Sequence, residues 1–469
     1  MQCDIIGVKN SRITDESLAC LTHGGDAMKR KADARLQKWI DSPHRKPILL
    51  RGARQVGKST LVRNFAQARG LVLNEINLER HRDLTNVFSS MDMSAICTRI
   101  SAILGRDIQA KGSLLFLDEI QAVPEAIAAL RYFYEDMPEL PVVAAGSLLE
   151  FVLAKHSFSM PVGRIEYLHL GPMDFKEFAE EMNPYLASCL NMDTVQSDSA
   201  ASFHAEMIKL LRTYLVVGGM PESVLVFSQT KSLAEAAAVQ EQILGTYVDD
   251  FAKYANGRDL ADMQAVFRRI PANVVHKVKY VNFARDMKSR DVKSMLELFV
   301  KARIVSPVIN TDGNGIPLGA EEDRDVWKPL FLDVGLMNHA NGVSAASIGD
   351  LSDTELVNTG TIAEQYVGQQ LLYKGGTEEM PSLHYWLREG AKNNAEVDFV
   401  VADGASVLPV EVKSGKAGSL RALLEMMAAK RLKRAVRFDA NVAGTQRVSL
   451  ADGLAFELVN LPLYAAVCL

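Results

Sequence analysis

The feature that most constrains this chain is a glycine-rich segment of eight residues. Gly52-Ala53-Arg54-Gln55-Val56-Gly57-Lys58-Ser59 fits the pattern G-x-x-x-x-G-K-[ST]. An apolar run, Ile48 to Leu50, enters it, and an amphipathic pattern, Ser59 to Arg69, leaves it. Glycines in such a loop let backbone N–H groups point at phosphate oxygens, and the following helix N-terminus adds partial positive charge. These eight residues and Thr60 therefore predict a phosphate-binding loop for a nucleotide.

Chemical roles follow from the residue types. Lys58 is expected to reach the β and γ phosphates of ATP, and the Ser59 hydroxyl to ligate Mg²⁺. An acidic strand end, Asp118-Glu119, comes about 60 residues downstream of the loop. We expect Asp118 to complete the magnesium shell and Glu119 to polarise the attacking water, because a carboxylate committed to the metal cannot also accept the proton. The pattern predicts ATP hydrolysis with ATP and Mg²⁺ as cofactors.

Two further residues are candidates for the same site. Ser147 ends the next apolar strand, where a polar side chain can sense the γ phosphate, although an ordinary strand-end turn explains it equally well. Arg164, in Val162-Gly163-Arg164, is the nearby candidate for the arginine that neutralises charge in the transition state. It would act in its own site or in that of a neighbouring copy, and the alternative is an ordinary surface arginine.

The order of apolar and helical patterns predicts the fold class. From Pro47 to about Leu170, short apolar runs alternate with helical patterns, which is typical of an α/β parallel sheet covered on both faces. Residues 171 to 255 show only helical patterns, as a helical lid would. Residues 256 to 345 hold a helical pattern, Ser289 to Lys301, followed by a strand pattern, Arg303 to Ile309, and suggest a small winged-helix-like module.

Charge and cysteine content bound the partners and the compartment. The formal net charge is -5, so the chain is not coated in positive charge for nucleic acid. Between Arg268 and Arg303 there are nevertheless ten Lys or Arg and only three acidic residues. This basic stretch can follow a DNA backbone or form a solvated helix face. The five cysteines are scattered and never form a Cys-x-x-Cys pair, which indicates reduced thiols. No membrane span or secretion signal is evident, and we expect a cytoplasmic protein.

A second group of chemical residues lies near the other end of the chain. Glu396 to Val401 and Val407 to Val412 read as two strands of a β-hairpin. If Ala402 faces Val407, Asp398 lies opposite Glu411; with the other register it faces Pro409, one step along the same face. In both cases the two carboxylates share a face with Lys413. Such a set can hold a metal and orient a water for phosphodiester cleavage, or it can be a solvated hairpin face.

As a set, these segments resemble a bacterial and archaeal family of AAA+-type ATPases with a C-terminal domain of unknown function. The resemblance runs from about Met28 onward and is carried by Arg51 to Leu61, Leu114 to Gln121, Ala145 to Phe151, Gly163-Arg164, Gly171 to Phe178, Gly218 to Glu222, Phe331 to Leu336 and Tyr385 to Lys413. Gly218-Gly219-Met220-Pro221 and Asp333-Val334-Gly335-Leu336 carry no assignable chemistry and are expected to serve turns and packing.

The resemblance implies a P-loop NTPase core and a C-terminal α/β domain of the restriction-endonuclease-like, PD-(D/E)xK fold. It also implies that Glu364 joins Asp398 and Glu411 at a metal. We therefore expect an ATPase that controls a DNA-directed, nuclease-like domain, and a homo-oligomer if Arg164 acts between copies. The alternative is a catalytically silent domain that binds a partner or nucleic acid. The predicted segments are 1–27 N-terminal extension, 28–170 ATPase core, 171–255 lid, 256–345 winged-helix-like module and 346–469 nuclease-like domain.

Overall fold

The computed structural model describes residues 28–147, 149, 160–161, 163–253, 259–343, 360–374, 378–390, 394–413, 420–450 and 453–469. The predicted N-terminal extension, residues 1–27, lies outside this part of the chain. The elements described up to residue 170 are α1 Lys31–Ile40, β1 Ile48–Arg51, α2 Lys58–Ala68, β2 Val72–Asn77, α3 Thr85–Ser89, α4 Met93–Leu104, β3 Ser113–Asp118, α5 Pro124–Asp136, β4 Val142–Ala145 and β5 Glu166–His169.

The strands of this region form one five-stranded sheet in the order β2-β3-β4-β1-β5, and every neighbouring pair is parallel. Side chains alternate between its two faces, as a strand requires. Leu49 and Leu115 pack with α4 and α5, whereas Leu50 and Phe116 pack with α1 and α2. The predicted parallel sheet with helices on both faces is confirmed.

Helices follow the sheet along the chain. Within residues 171–255 they are α6 Phe175–Met182, α7 Pro184–Cys189, α8 Met192–Val195, α9 Ala200–Val217, α10 Pro221–Thr230 and α11 Leu233–Asp250. Two more, α12 Asp259–Arg269 and α13 Ser289–Lys301, lie in the predicted winged-helix-like module. Local sequence fixes several of the boundaries. The Asp174 carboxylate accepts from the Glu177 backbone and Glu177 reaches back to Asp174, which forms the capping box of α6. Gly218 ends α9 at φ +73°, and Pro221 opens α10 at a position where a missing N–H costs nothing.

The remaining elements build a second, mixed sheet. They are β6 Val305–Thr311, β7 Glu322–Phe331, α14 Val334–Ala340, α15 Gly360–Leu372, β8 Leu383–Arg388, β9 Ala395–Asp403, β10 Ser406–Val412, α16 Arg421–Lys430, β11 Arg434–Asp439, β12 Gly444–Ser449 and β13 Ala455–Pro462. Their order is β12-β13-β11-β10-β9-β8-β6-β7. Tyr366 of α15 belongs to the core on one face, and Met427 of α16 to the core on the other.

The boundary predicted at residues 345 and 346 does not separate two sheets. Strand β6 of the predicted winged-helix-like module pairs with β7 on one side and, in parallel, with β8 of the C-terminal segment on the other. A strand pattern identifies a strand but not its partner, because pairing is decided by residues far away in sequence. The strands expected to belong to a separate small module are therefore part of the C-terminal sheet.

Among the helices that the structure describes, none is long and apolar enough to cross a membrane. Three of the five cysteines lie in the described part of the chain, and all three are free thiols: Cys97, Cys189 and Cys468.

Candidate nucleotide site and carboxylate site

The phosphate loop leaves the carboxyl end of β1 and runs directly into α2. Gly57 is the N-cap of α2 at φ +89°, a left-handed conformation that favours glycine. A Cβ on Gly52 would overlap the carbonyl oxygen of Leu170, because the chain leaving β5 passes directly beside the loop. Both motif glycines are thus required by the shape of the backbone, and the N-terminus of α2 opens onto the space that the loop encloses.

Lys58 is buried at the start of α2, and its ammonium folds back onto the loop. Its Nζ donates to the carbonyl oxygens of Gly52 at 3.1 Å and Ala53 at 2.7 Å. Burial lowers the pKa of Lys58 to about 8, although the carboxylates of Glu119 and Asp118 act in the opposite direction. A buried ammonium whose hydrogen-bond partners in the described part of the chain are neutral carbonyl groups is well suited to bind an anion.

The acidic strand end meets the loop where the pattern predicts. Ser59 Oγ donates to Asp118 Oδ2 at 3.1 Å, so the two predicted magnesium ligands lie side by side. Burial raises the pKa of Asp118, and the neighbouring Glu119 charge raises it further. A hydroxyl and a carboxylate oxygen next to a phosphate loop fit Mg²⁺, which uses few protein ligands together with substrate phosphates and water.

Glu119 follows Asp118 in a left-handed conformation, with φ +51°. Gln121 Nε2 donates to its carboxylate, and Ser147 Oγ from the end of β4 lies 3.4 Å from Glu119 Oε2. A Cβ on Gly146 would overlap Gln121 Oε1, so a glycine at this strand end lets Gln121 reach the carboxylate. The predicted Glu119 and Ser147 are thus neighbours, and Gln121 is an orienting residue that the sequence reasoning missed.

Three side chains from outside the motif fix the loop. Arg30 Nη1 donates to the Val56 carbonyl at 3.0 Å while its Nη2 donates to that of Gly171 at 2.8 Å. Tyr247 Oη donates to the Arg54 carbonyl at 2.7 Å, and Arg54 Nη1 donates to Asp250 Oδ2 at 2.5 Å. No local sequence signal marks these partners, because they come from the chain before α1 and from the end of α11.

Arg164 lies at the amino ends of the parallel strands, opposite the end that carries the phosphate loop. Strands β5 and β1 are parallel, with Glu166 opposite Ile48, so Arg164 precedes the amino end of β5 while the phosphate loop follows the carboxyl end of β1. Its Nε donates to Glu135 Oε1 at 2.7 Å near the end of α5. The expectation that Arg164 serves the site of its own chain is therefore corrected, since parallel strands put these two positions at opposite ends. Action on a neighbouring copy stays a prediction.

The C-terminal hairpin adopts the first of the two registers considered. Val407 lies opposite Ala402, and the ladder continues to Val410 opposite Phe399, which puts Glu411 opposite Asp398. The Asp398 carboxylate accepts the backbone N–H of Val412 at 2.7 Å. Both carboxylates are buried, so the solvated hairpin face is not what the structure contains.

Electrostatics couple these carboxylates to the predicted lysine and to the helix glutamate. Burial and the Asp398 charge raise the pKa of Glu411 to about 8, although Lys413 opposes them through an ion pair with Glu411. Burial, and then the charge of Asp398, raises the pKa of Glu364 on α15. The hairpin brings Asp398, Glu411 and Lys413 together, and Glu364 on α15 is close enough for its charge to interact with those of both carboxylates.

Lys328 on β7 is a further member that the sequence reasoning missed. Its side chain has no exposed surface, and its Nζ donates to Glu396 Oε1 at 2.8 Å and to the Asp398 carbonyl at 3.2 Å. The ammonium lies 4.7 Å from the centre of the Tyr385 ring. A lysine within the apolar run Val326 to Phe331 was the available signal, because a charge inside a buried strand needs a partner.

The cluster offers a cation an unpaired carboxylate oxygen, but its described residues do not provide a full set of metal ligands. Glu411 Oε2 is buried without a hydrogen-bond partner, which a metal ion or a proton would satisfy. Among the residues that the structure describes, however, no group of three or more His, Cys, Asp or Glu side chains is arranged to hold a metal ion. The carboxylates fit Mg²⁺ by chemistry, and a bound phosphate would have to supply further oxygens.

The two motifs without assignable chemistry contact each other. Asp333, at the N-cap of α14, accepts the backbone N–H of Gly219 at 2.7 Å and that of Leu336 at 3.0 Å, and a Cβ on Gly218 would overlap its carboxylate. Gln369 of α15 donates to the same carboxylate at 3.3 Å. We call this contact the Asp333 junction. It joins the lid to the helix that carries Glu364, which agrees with the expected packing role.

Some basic side chains of the middle portion are paired with acidic ones. Lys277 Nζ donates to Glu389 at 2.6 Å, and Lys293 Nζ to Asp325 at 3.1 Å. These pairs are exposed and weak, so they compete only modestly with a phosphate backbone. A role in DNA binding stays a prediction.

Family models match three successive parts of the chain. Residues 44–179 match an AAA domain, residues 208–347 match the domain of unknown function DUF8612, and residues 359–464 match the domain of unknown function DUF4143. The last two descriptions name no activity. A comparison with curated proteins finds no match.

Two solved structures resemble parts of the chain. PCH-2 of C. elegans is 15% identical over 45% of this chain and 66% of that one, just under two thirds of its length, with a TM-score of 0.26. The RuvB Holliday junction branch migration motor of Thermotoga maritima is 16% identical over 61% of this chain and 90% of that one, with a TM-score of 0.28. Scores of this size carry no conclusion about this chain.

The AAA match covers β1 to β5, the phosphate loop and the Asp118-Glu119 strand end. Matched sequence, a parallel sheet and the assembled phosphate site all agree. Residues 44–179 therefore form a P-loop, AAA-type ATPase domain that binds ATP.

Proposed function

We propose that the chain hydrolyses ATP with Mg²⁺ and that its nucleotide cycle controls the carboxylate site of the C-terminal sheet, which acts on DNA. The observation that carries the first part is the contact of Ser59 with Asp118 beside Glu119, at the mouth of the loop that holds Lys58. A metal ligand, a general base and a phosphate-binding ammonium then share one space.

The residues divide the work as follows. Lys58 and the backbone N–H groups of the loop bind the phosphates and neutralise charge on the leaving group. Glu119 accepts a proton from the attacking water, while Gln121 and Ser147 hold its carboxylate in place. Ser59 and Asp118 would hold Mg²⁺, which would neutralise negative charge on the phosphates when bound.

Two substitutions test the ATPase. Lys58→Ala should abolish tight nucleotide binding, because it removes the buried ammonium. Glu119→Gln should bind ATP as tightly as the wild type yet turn over about 100-fold more slowly or worse, since it keeps the shape but loses the base. Turnover of Glu119→Gln at the wild-type rate would contradict the assignment of the general base.

The Asp333 junction supports control of the second site. Pro221 lies against Gly57 of the phosphate loop, within 3.4 Å of where a Cβ would stand, and Gly219, two residues earlier, donates to Asp333. Asp333 in turn accepts from Gln369, which is five residues along α15 from Glu364. The phosphate loop, α10, Asp333 and α15 are thus connected in series, and a shift of α10 in the nucleotide cycle would reach the carboxylate cluster along this path.

DNA cleavage is tested with the full chain. Linear and circular DNA are incubated with Mg²⁺ or Mn²⁺, with ATP, ADP or neither, and cleavage is read on gels. Activity lost in Asp398→Ala and in Lys413→Ala would support the proposal. Glu425→Ala, on α16, removes an exposed ion pair with Arg388 of β8 and is the matched control. Intact DNA under every metal and nucleotide would refute cleavage.

A catalytically silent C-terminal site is the second candidate, favoured by one observation. Lys328 and Lys413 already pair with Glu396 and Glu411, so the cluster is partly neutralised without a metal ion. In that case the domain binds a partner or nucleic acid, and ATP hydrolysis switches the binding. DNA affinity that changes with nucleotide, without cleavage, would distinguish this candidate from the first.

A further inference from the structure

Arg54 is the third residue of the phosphate loop and carries the only guanidinium within the motif Gly52 to Ser59. The motif explains the loop through its backbone and through Lys58 and Ser59, and it assigns no role to this side chain. The structure anchors Arg54 at both ends. Tyr247 Oη donates to its carbonyl oxygen, and its own Nη1 donates to Asp250, with both partners on the last turn of α11.

The guanidinium belongs to the phosphate loop and lies near Ser147, with which Arg54 lines one small cavity. Burial opposes its charge, but Asp250 and then Glu119 favour it, so the pKa of Arg54 lies above its ordinary value. The Arg54 charge also acts on Lys58, whose pKa it lowers. Ser147 Oγ in turn lies 3.4 Å from Glu119 Oε2. The loop arginine therefore lies on the side of the site that holds Ser147 and Glu119, where the transferred phosphate is expected.

Arg54 has hydrogen-bonding capacity left for a ligand. A guanidinium carries five N–H donors in a rigid plane. Among the residues that the structure describes, Asp250 is its hydrogen-bonded partner, through Nη1. About a third of the Arg54 side chain is exposed, whereas Asp250 is mostly buried, at 30% and 11%. Asp250 thus fixes the orientation of the plane, and the exposed part of the side chain leaves N–H donors accessible to a ligand.

We propose that Arg54 contacts the γ phosphate of ATP within its own chain, and that Asp250 is a positioning residue that holds the guanidinium for this contact. The inference rests on the proposed ATPase function and deepens it. Arg54 would also supply the cation that Arg164 does not provide in its own chain, since Arg164 lies at the other end of the parallel strands.

The chemistry requires such a cation. A water oxygen bonds to the γ phosphorus, the bond from that phosphorus to the β–γ bridging oxygen breaks, and the proton of the water passes to Glu119. Negative charge is spread over the γ oxygens during this exchange, and a guanidinium N–H directed at one of them stabilises it. The same contact exists with bound ATP but not with ADP, so Arg54 should also contribute to the preference for ATP.

The test compares Arg54→Gln, Arg54→Lys, Asp250→Asn and the double variant Arg54→Gln/Asp250→Asn. Arg99→Gln, which breaks the exposed Arg99–Asp83 pair, is the matched control. Three quantities are measured: ATP turnover, the ratio of affinities for a non-hydrolysable ATP analogue and for ADP, and the melting temperature.

We expect Arg54→Gln to lower kcat by about 10³-fold, the lower end for a transition-state arginine, and to reduce the analogue-to-ADP affinity ratio about tenfold or more while ADP affinity is kept. Asp250→Asn should lower kcat by about 10-fold to 100-fold through misplacement, and the double variant should match Arg54→Gln. The kcat of Arg54→Lys should lie between those of the wild type and Arg54→Gln, because an ammonium keeps the positive charge but not the planar array of donors.

Two results would overturn the proposal. One is an unchanged kcat and affinity ratio in Arg54→Gln. The other is a parallel loss of ADP and analogue affinity with the same fall in melting temperature in Arg54→Gln and Asp250→Asn, since the pair would then only hold the loop. If the wild-type chain does not hydrolyse ATP at all, the proposed ATPase function fails, and the affinity ratio still decides the role of Arg54.

Discussion

At the scale of single residues, Lys58 leads to a prediction about pH. Its ammonium is buried against two carbonyl groups, and burial lowers its pKa to about 8. Phosphate binding requires the charged form and raises this pKa again, so nucleotide binding takes up a proton when the pH exceeds 8. The affinity for nucleotide is therefore highest below pH 8. It falls above pH 8, by up to tenfold per pH unit, until the pKa that Lys58 has in the complex is reached.

The measurement is a titration with a fluorescent ADP analogue between pH 7 and pH 9.5, without magnesium. Lys58→Arg is the control, because a guanidinium does not lose its proton in this range and its profile should be flat, at whatever affinity it has. A flat profile for the wild type up to pH 9.5 would show that the Lys58 pKa is not lowered.

Arg164 leads to a prediction about assembly. Since it lies away from the phosphate site of its own chain, it can act only on a neighbouring copy. Arg164→Ala then keeps its own phosphate site, including Arg54, but offers no Arg164 to a neighbouring copy, and Lys58→Ala offers Arg164 without a working site. Lys58→Ala alone should be inactive, Arg164→Ala alone should turn over well below the wild-type rate, and an equal mixture should exceed the mean of the two. Turnover of Arg164→Ala at the wild-type rate would make Arg164 an ordinary surface residue paired with Glu135.

The same residues show what the sequence alone can supply. Lys58, Ser59, Asp118 and Glu119 were predictable because each sits in a local pattern whose chemistry needs that residue type. Asp250 could not be predicted as the partner of Arg54, since 196 residues separate them and neither lies in a pattern that refers to the other. The sequence left open whether Arg164 serves its own site or that of a neighbouring copy, because proximity in sequence does not tell at which end of a parallel strand a residue lies.

At the scale of elements, the Asp333 junction predicts that replacing one glycine lowers the stability of the fold more than usual. Gly218 has φ +73°, and a Cβ there would overlap the Asp333 carboxylate, which already accepts three hydrogen bonds. Gly342 has φ +76° with open space around it. Gly342→Ala should therefore reduce the free energy of unfolding by about 1–2 kcal/mol from backbone strain alone. Gly218→Ala adds a steric overlap and should cost about 3 kcal/mol or more.

Urea unfolding of the two variants measures this difference directly. Equal losses would mean that Asp333 moves aside at little cost and that the junction is soft. A larger loss in Gly218→Ala would show that the lid and α14 are held in one arrangement, as coupling through the junction requires.

Elements were easier to predict than their partners. Helix α13, Ser289–Lys301, has the bounds that its apolar spacing indicates, and the register of β9 and β10 is one of the two alternatives that the turn allows. Strand β6 was also recognisable, but its pairing with β8 was not, because that contact bridges more than 70 residues and depends on how the intervening helices pack.

At the scale of the whole molecule, the mixed sheet predicts which fragments fold. A fragment of residues 346–469 begins at the boundary that the sequence suggests, but it lacks β6 and β7. Strand β8, whose residues Leu383 to Trp386 are all buried, would then become an open edge. Gln365 of α15 would also lose its partner, since its side chain pairs with both the N–H and the carbonyl of Phe331.

We therefore expect the fragment 346–469 to lack cooperative unfolding and near-ultraviolet circular dichroism, and to aggregate through its open edge. A fragment of residues 302–469 restores β6, β7 and the partner of Gln365, and it should unfold cooperatively if the eight-stranded sheet is the folding unit. It still lacks the lid groups that α15 touches, including the Phe175 N–H that Gln370 accepts at 2.9 Å, so its stability should remain below that of the full chain. Cooperative unfolding of the shorter fragment would place the domain boundary near residue 346, and β6 and β7 would then be an addition to a sheet that is complete without them.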